Sequence, residues 1–214
     1  MRLNFIILFC LITTGVLSQK KVIKKFEASA NEINIYTEGL DNVIIENSAS
    51  NFVEVYLYAE SYDEQLVLIN NTLKKVDIKF HFEGEETREV IFRKFVTKRL
   101  QRATATVKIP KNKKVYIFGD NVDVASKNHE NELAIYIENG IVRLDTIKAN
   151  TTLKLYSGNV FSVLKNTNID VTSNNGKIKI NAEVYKKSFK KVDVNFDKKI
   201  SISTIKANIF LTTK

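Results

Sequence analysis

Three glycines recur at a fixed interval of eighteen residues, and each lies between two short alternating apolar runs. They are Gly140, Gly158 and Gly176. A fixed period of strand and turn is typical of β architectures in which equivalent units stack on one another. This period constrains the shape of the protein more than any other feature of the sequence, and it carries no catalytic signature.

The residues around these glycines alternate between apolar and polar. When the three units are aligned on the glycine, ten of the twelve positions at −5, −3, +2 and +4 are apolar, against four of the twelve interleaved positions. This alternation is the period-2 pattern of strands that bury one face. The ten apolar residues are Ile135, Ile137, Val142, Leu144, Leu153, Leu155, Val160, Val171, Ile178 and Ile180.

Partial copies of the unit occur on both sides of the three. A looser copy surrounds Gly119 and consists of Val115, Ile117, Val122 and Val124. A later copy consists of Ile200, Ile202, Ile209 and Leu211. The pentapeptide 146–150 also recurs unchanged at 204–208. We therefore expect the segment 200–211 to be a further unit that caps the stack.

Two all-β geometries fit the pattern. In a β-solenoid, equivalent residues of successive coils stack about 4.8 Å apart and form ladders such as Val142–Val160–Ile178. In an antiparallel meander or sandwich, the dipeptides that end in Gly140, Gly158 and Gly176 form tight hairpin turns instead. The repeated register favours a single-domain β-solenoid, with the meander or sandwich as the alternative.

The N-terminus has the organisation of a secretory signal peptide. Arg2 supplies the positive charge, an apolar run covers residues 5–17, and cleavage is predicted after Ser18. The apolar run is short for a membrane span. We expect residues 1–18 to be removed on export and residues 19–214 to form one all-β domain without a transmembrane span. Cys10, the only cysteine, would leave with the signal peptide.

The chain is basic, with a formal net charge of +9. Positive charge favours anionic partners, but export and the lack of any RNA- or DNA-binding motif argue against nucleic acid. We expect an acidic polysaccharide, lipopolysaccharide or an envelope protein as the partner. The alternative is that abundant lysine, asparagine and isoleucine reflect only an AT-rich genome.

The densest basic stretch covers residues 88–102. Its arginines can pair with carboxylate, sulfate or phosphate groups, and Phe92 and Phe95 can stack against sugar rings. Charges on an exposed strand also prevent edge-to-edge pairing, which is the purely structural alternative. The predicted ligand contacts are Arg93, Lys94, Lys98, Arg99 and Arg102.

One segment resembles a known group of proteins. The strand 105–109 ends at Pro110 and is followed by the strand 115–120 and by glycine-punctuated coils. This arrangement resembles secreted bacterial β-solenoid proteins of the adhesin-like head-domain and domain-of-unknown-function families common in Bacteroidetes, over roughly residues 33–211. The resemblance implies a right-handed β-helix-like fold, an envelope location and an adhesin-like role.

Catalysis is the different-class alternative, because polysaccharide lyases and hydrolases also use β-helices. Hydrolysis needs paired carboxylates, and lyase chemistry needs a base beside a charge neutraliser. The predicted outward ladder stacks no carboxylate on another and consists of Asp123, Arg143, Phe161 and Lys179. His81 and His129 are the only histidines and lack partners at metal-ligand spacing, so we predict no catalytic residue, metal or cofactor.

These patterns predict an exported, non-catalytic binding or scaffolding module of the cell envelope. Its expected location is the periplasm or the outer surface of a Gram-negative bacterium. A lyase or hydrolase acting on acidic polysaccharide is the alternative function. A periplasmic partner of a signalling or secretion complex is the third.

Overall fold

The computed structural model describes residues 20–59, 64–83 and 103–214. Over these residues the protein is all-β, with seventeen strands in one continuous hydrogen-bonded sheet and no helix. The described ranges accordingly contain no helix long and apolar enough to cross a membrane. Residues 1–18 and the basic stretch 88–102 lie outside the described residues, so the predicted signal peptide stays a prediction.

The strands are β1 (Lys20–Glu27), β2 (Glu32–Tyr36), β3 (Asn42–Asn47), β4 (Phe52–Ala59), β5 (Glu64–Asn71), β6 (Lys75–Glu83), β7 (Thr104–Ile109), β8 (Lys114–Asn121), β9 (Asp123–Ser126), β10 (Glu132–Thr146), β11 (Thr151–Leu164), β12 (Thr167–Ser173), β13 (Ile178–Ile180), β14 (Glu183–Tyr185), β15 (Ser188–Lys191), β16 (Lys198–Thr204) and β17 (Asn208–Thr213).

The strands lie in two rows, and the long strands β10 and β11 pass from one row into the other. The first row has the order β5, β6, β2, β8, β10, β11, β16, β12, β15. The second row has the order β1, β4, β7, β3, β9, β10, β11, β17, β13, β14. We call the strands at one level of the two rows a rung. Neighbouring rungs pair in parallel, and antiparallel strands occur at both ends of the rows.

The inward side chains of both rows form one hydrophobic core. All ten apolar residues predicted around the three glycines are buried, as are the apolar residues of the partial copies on either side. Each fully buried Val, Ile or Leu side chain contributes about 1.5–3 kcal/mol relative to an exposed one. The period-2 alternation therefore identified the buried face of these strands correctly.

The eighteen-residue period is the pairing register of the long strands. Residues 133–144 of β10 lie opposite the residues eighteen positions later in β11, so that Leu133 faces Thr151 and Gly140 faces Gly158, and the register shifts by one residue at Thr146. Both glycines lie inside these parallel-paired strands, where the chain bends from the first row into the second. Tight antiparallel hairpin turns therefore do not form at these two positions.

Glycine is required at this bend because successive rungs approach each other closely. A Cβ atom built on Gly158 would overlap the carbonyl oxygen of Gly140, and one built on Gly140 would overlap the carbonyl oxygen of Val122. Gly158 also has a φ of 120°, a conformation that residues with a side chain rarely adopt. The periodic glycines thus permit the contact between backbones that the rung spacing demands.

The order of rungs differs from chain order at the C-terminal end. Strands β16 and β17 lie between β11 and the β12–β13 rung, so Ile209 separates Val160 from Ile178 in the predicted ladder. The expectation that residues 200–211 cap the stack is therefore wrong. The lysine-rich segment 183–197 contains β14 and β15, which pair antiparallel with β13 and β12 and occupy the end of the rows.

Side-chain pairs favour this inserted position. The Nδ2 of Asn208 donates a hydrogen bond of 3.1 Å to Oδ1 of Asn159 on one side. Lys199 forms a 3.1 Å ion pair with Asp170 on the other side. Cross-strand pairs of this kind each add a few tenths of a kcal/mol to about 1 kcal/mol. They stabilise the observed position of β16 and β17 between β11 and the β12–β13 rung.

Strand β2 is inserted in the same way between β6 and β8. Its Glu32 lies between Lys75 and Lys114, which have the opposite charge. Its Asn34 donates a 2.9 Å hydrogen bond to Asp77 of β6 in a buried position. Electrostatics and a buried hydrogen bond thus specify where this N-terminal strand pairs.

We expect Gly158→Ala to lower the free energy of unfolding by more than about 2 kcal/mol, because the added Cβ meets backbone and the residue has a strained φ. Urea unfolding followed by circular dichroism measures the loss. Ser157→Ala is the matched control: it removes one exposed hydrogen bond, to Asn139, and should cost less than about 1 kcal/mol. Equal stability of Gly158→Ala and wild type would contradict the close approach at the bend.

Candidate functional site

A column of aromatic side chains runs across the outer face of the first row. Tyr36, Phe118 and Tyr136 occupy consecutive rungs, with ring centroids 5.4 and 5.5 Å apart and interplanar angles of 22° and 11°. Lys79 Nζ lies 5.1 Å from the Tyr36 ring centroid, and Lys154 Nζ lies 5.7 Å from that of Tyr136. We call these five residues the first-row aromatic column.

The ring faces of the first-row aromatic column are covered mainly by other members of the column. Its nearly parallel rings cover one another's faces, and the two lysines cover the faces at the ends. Stacked aromatic pairs contribute about 0.5–1.5 kcal/mol beyond their burial, and exposed cation–π contacts about 0.5–1 kcal/mol. The column therefore stabilises the register of five rungs and presents mainly ring edges to solvent.

A groove of about 890 Å³ adjoins this column at the bend between the rows. Its polar side chains mostly hold the bend together: Asp123 Oδ1 accepts a 2.8 Å hydrogen bond from the Ile141 N–H, and Ser157 Oγ bonds to Asn139 Oδ1 at 3.0 Å. Within the described ranges, no group of three or more His, Cys, Asp and Glu residues is arranged to hold a metal ion. The polar groups of the groove therefore stabilise the bend between the rows.

A second column runs across the outer face of the second row and consists of Arg143, Phe161, Phe210 and Lys179. The two phenylalanine rings stack with centroids 5.0 Å apart at 10°, and the Arg143 Cζ lies 5.8 Å from the Phe161 centroid. Phe161 is 39% exposed. We call these four residues the second-row column.

The second-row column corrects the predicted outward ladder at two positions. Ala125, and not Asp123, lies opposite Arg143. Phe210 enters between Phe161 and Lys179 because β17 is inserted there. The eighteen-residue register also holds between β9 and β10. The residue opposite Arg143 is therefore Ala125, and the expected member Asp123 lies two residues before it.

Most other charged columns alternate in sign. On the second row, Lys25 pairs with Glu54 at 2.8 Å and Lys127 pairs with Glu46 at 3.3 Å, with Lys108 between the two glutamates. The hydrogen bond from Lys25 is the main cause that lowers the pKa of Glu54. The second-row column differs from these, because neither Arg143 nor Lys179 has a carboxylate partner among the described residues; the same is true of Lys79 and Lys154 in the first-row aromatic column.

Of the two histidines, His81 is exposed on β6, whereas His129 is only 5% exposed. Neither ring nitrogen of His129 has a hydrogen-bond partner within the described part of the chain. Burial lowers the pKa of His129 to about 4, although the nearby Glu130 charge acts in the opposite direction. The residue eighteen positions later is Ile147, also 5% exposed, so His129 occupies an inward apolar position of the repeat.

We expect the protein to lose about 3 kcal/mol of stability as the pH falls from about 6.5 to about 4. In this window the unfolded chain binds a proton at His129 that the folded protein excludes, so acid favours unfolding. His129→Ile should abolish this part of the pH dependence, whereas His81→Gln should leave it unchanged. Unfolding free energies at several pH values measure the effect, and identical profiles for wild type and His129→Ile would contradict it.

The five predicted ligand contacts, Arg93, Lys94, Lys98, Arg99 and Arg102, lie outside the described residues, and their role stays a prediction. The first-row aromatic column was not predicted from the sequence. Phe118 and Tyr136 are eighteen residues apart, so the repeat could have revealed that pair. Tyr36 joins them from a strand inserted out of chain order, which no repeat in the sequence signals.

No protein-family model matches the chain, and no curated protein matches it. Among solved structures, a candidate cell adhesion protein from Clostridium sporogenes is similar, with a TM-score of 0.61 and 13% identity over 92% of this chain and all 100% of that one. Two structures from Parabacteroides distasonis also align. One is a candidate adhesin (TM-score 0.29, 12% identity, 91% of this chain and 98% of that chain). The other is a candidate lipid-binding protein (TM-score 0.27, 11% identity, 91% and 97%).

The first similarity shows that the fold of this chain is shared with the Clostridium sporogenes protein. At 13% identity it concerns the fold alone. The two Parabacteroides distasonis structures superpose too loosely to add to this.

Proposed function

We propose that the protein is an exported, non-catalytic, adhesin-like binding module of the cell envelope. The observation that carries this proposal is the second-row column, where the exposed Phe161 ring and the half-buried Phe210 ring lie between cations that have no carboxylate partner in the described part of the chain. A regular sheet holds these side chains in fixed positions, which suits recognition of an extended ligand. The shared fold with a candidate cell adhesion protein supports the same role.

The proposal includes a single β-solenoid domain over residues 19–214, preceded by a cleaved signal peptide. Three observations support the solenoid: parallel pairing at an eighteen-residue offset, one core shared by the two rows, and short corners between them. In such a fold each coil adds one strand to each row. The right-handed β-helix implied by the family resemblance belongs to the same proposal.

The ligand that we propose is an anionic glycan or lipid headgroup, such as acidic polysaccharide or lipopolysaccharide. The net charge of +9 supports this choice, and Arg93, Lys94, Lys98, Arg99 and Arg102 are proposed to take part. Attraction between exposed charges weakens as salt is added, with a screening length of about 10 Å at 0.1 M. Salt sensitivity is therefore the expected signature of binding.

We expect the purified protein to be retained by acidic polysaccharides, lipopolysaccharide or envelope fractions, and the retention to fade with added salt. New reducing or unsaturated sugar ends should be assayed in the same incubations. Retention without new ends supports the binding module. New ends indicate a lyase or hydrolase, and no retention on any of these materials indicates a protein partner in the periplasm.

We expect charge reversal in the basic stretch, Arg93→Glu with Lys94→Glu, to reduce retention on envelope fractions severalfold, because two attractive contacts become repulsive. The matched control is Lys190→Glu with Lys191→Glu, which makes the same change of charge on β15. Sedimentation with envelope fractions at low and high salt measures retention. Unchanged retention of the Arg93/Lys94 variant would remove the basic stretch from the proposal.

A further inference from the structure

We infer that the second-row column, Arg143, Phe161, Phe210 and Lys179, is a binding site for an acidic polysaccharide whose chain runs along the column, across the strands. The inference rests on the proposed function and assigns it a surface and a ligand class. Its residues are different from those of the basic stretch 88–102.

The spacing of the two cations indicates a polymeric ligand. Arg143 and Lys179 lie three rungs apart, and three intervals of strand spacing make about 14 Å. That distance separates the two backbones, so a single carboxylate, sulfate or phosphate group would contact both cations only if both side chains turned inward over the phenylalanine rings. A linear polyanion with charges at intervals can contact both. Both side chains are exposed and have no carboxylate partner among the described residues, so they are available to it.

The surface between the cations is apolar. Phe161 is 39% exposed, and the edges of the stacked Phe161 and Phe210 rings form a continuous strip from one cation to the other. Phe210 is half-buried, and together with the exposed Phe161 it forms a small apolar patch between the two cations. Sugar rings carry apolar C–H groups between their hydroxyls, and these can cover the strip.

Hydrogen-bonding groups flank the strip. Asn159 and Asn208 lie in the neighbouring outward column, joined by the 3.1 Å bond from Asn208 Nδ2 to Asn159 Oδ1. The Nδ2 group of Asn159 has no partner within the described residues and is half-buried beside the strip. An amide N–H group pointing at a carbohydrate can donate to a hydroxyl or carboxylate oxygen. The site thus combines cations, apolar edges and an amide donor.

Other polyanions fit this surface less well. The backbone groups of β10, β11 and β17 are used in parallel pairing, so a peptide cannot add to this face as a strand. The column lies on the outer face of the sheet, where the two cations project from strands about 14 Å apart and the stacked rings of Phe161 and Phe210 lie between them. A polysaccharide needs neither a free backbone edge nor two closely spaced cations, because its charges and C–H groups are spread along an extended chain.

The test compares the wild-type protein with three variants in titrations with polygalacturonate at low salt. Arg143→Gln with Lys179→Gln removes the two cations of the column. Lys111→Gln with Lys148→Gln removes the same net charge where both lysines already pair with Glu130, at 2.9 and 3.0 Å. Asp145→Asn removes an exposed carboxylate two residues beyond Arg143 on the same strand. Dextran, polyglutamate and phosphatidylglycerol vesicles are the comparison ligands.

We expect Arg143→Gln with Lys179→Gln to bind polygalacturonate about tenfold more weakly, as the loss of two charge-assisted contacts implies. Lys111→Gln with Lys148→Gln should stay within about twofold of wild type, and Asp145→Asn should bind more tightly. Thermal unfolding of each variant shows whether the fold is intact. Dextran should not bind to any of them.

The inference is overturned if the two double variants weaken binding equally, since net charge alone would then explain it. It is also overturned if wild type binds polyglutamate or the vesicles in preference to polygalacturonate, although the proposed binding module would stand. The inference is likewise overturned if the Arg143→Gln/Lys179→Gln variant binds polygalacturonate as tightly as wild type does. The basic stretch 88–102 would then be the next candidate. If wild type is retained by none of the ligands or envelope fractions, the proposed function itself fails.

Discussion

Parallel backbone pairing at an offset of eighteen residues is the constraint on which the rest of the structure depends. It places Gly140 against Gly158, and at that level the backbones approach so closely that neither residue can carry a Cβ. The same offset brings side chains of equal position into columns, inward as core and outward as surface. The aromatic pair Phe118–Tyr136, the pair Arg143–Phe161 and the bend between the rows are consequences of this register.

Side-chain chemistry decides which strand follows which, and here chain order has little influence. The pentapeptide 146–150 and its identical copy at 204–208 occupy opposite corners: one leads from the second row into the first, the other from the first row into the second. Ile147 is 5% exposed, whereas Ile205 is 42% exposed. Identical residues take different environments because their neighbours in the next rung differ.

The dependence of strand order on side-chain contacts explains which parts of the fold could be predicted. Alternation is a local property, so the buried faces of the strands, the repeat register and the strand end before Pro110 were correct. The order of rungs depends on contacts between distant segments, such as Asn34 with Asp77, and local pattern does not encode it. The surface columns could be predicted only in part for the same reason. The spacing of Arg143 and Phe161 placed them in one column, whereas Phe210 and Tyr36 enter their columns from inserted strands.

The antiparallel strands at the ends of the rows have a consequence for the length of the particle. A parallel stack presents the same backbone edge at every level and could grow by adding further copies of the molecule. Of the four outermost described strands, β14 has only three residues and two others carry lysines: β1 has Lys21, Lys24 and Lys25, and β15 has Lys190 and Lys191. Two such edges repel each other. Reversed strand direction and like charge together oppose fibre formation by end-to-end addition.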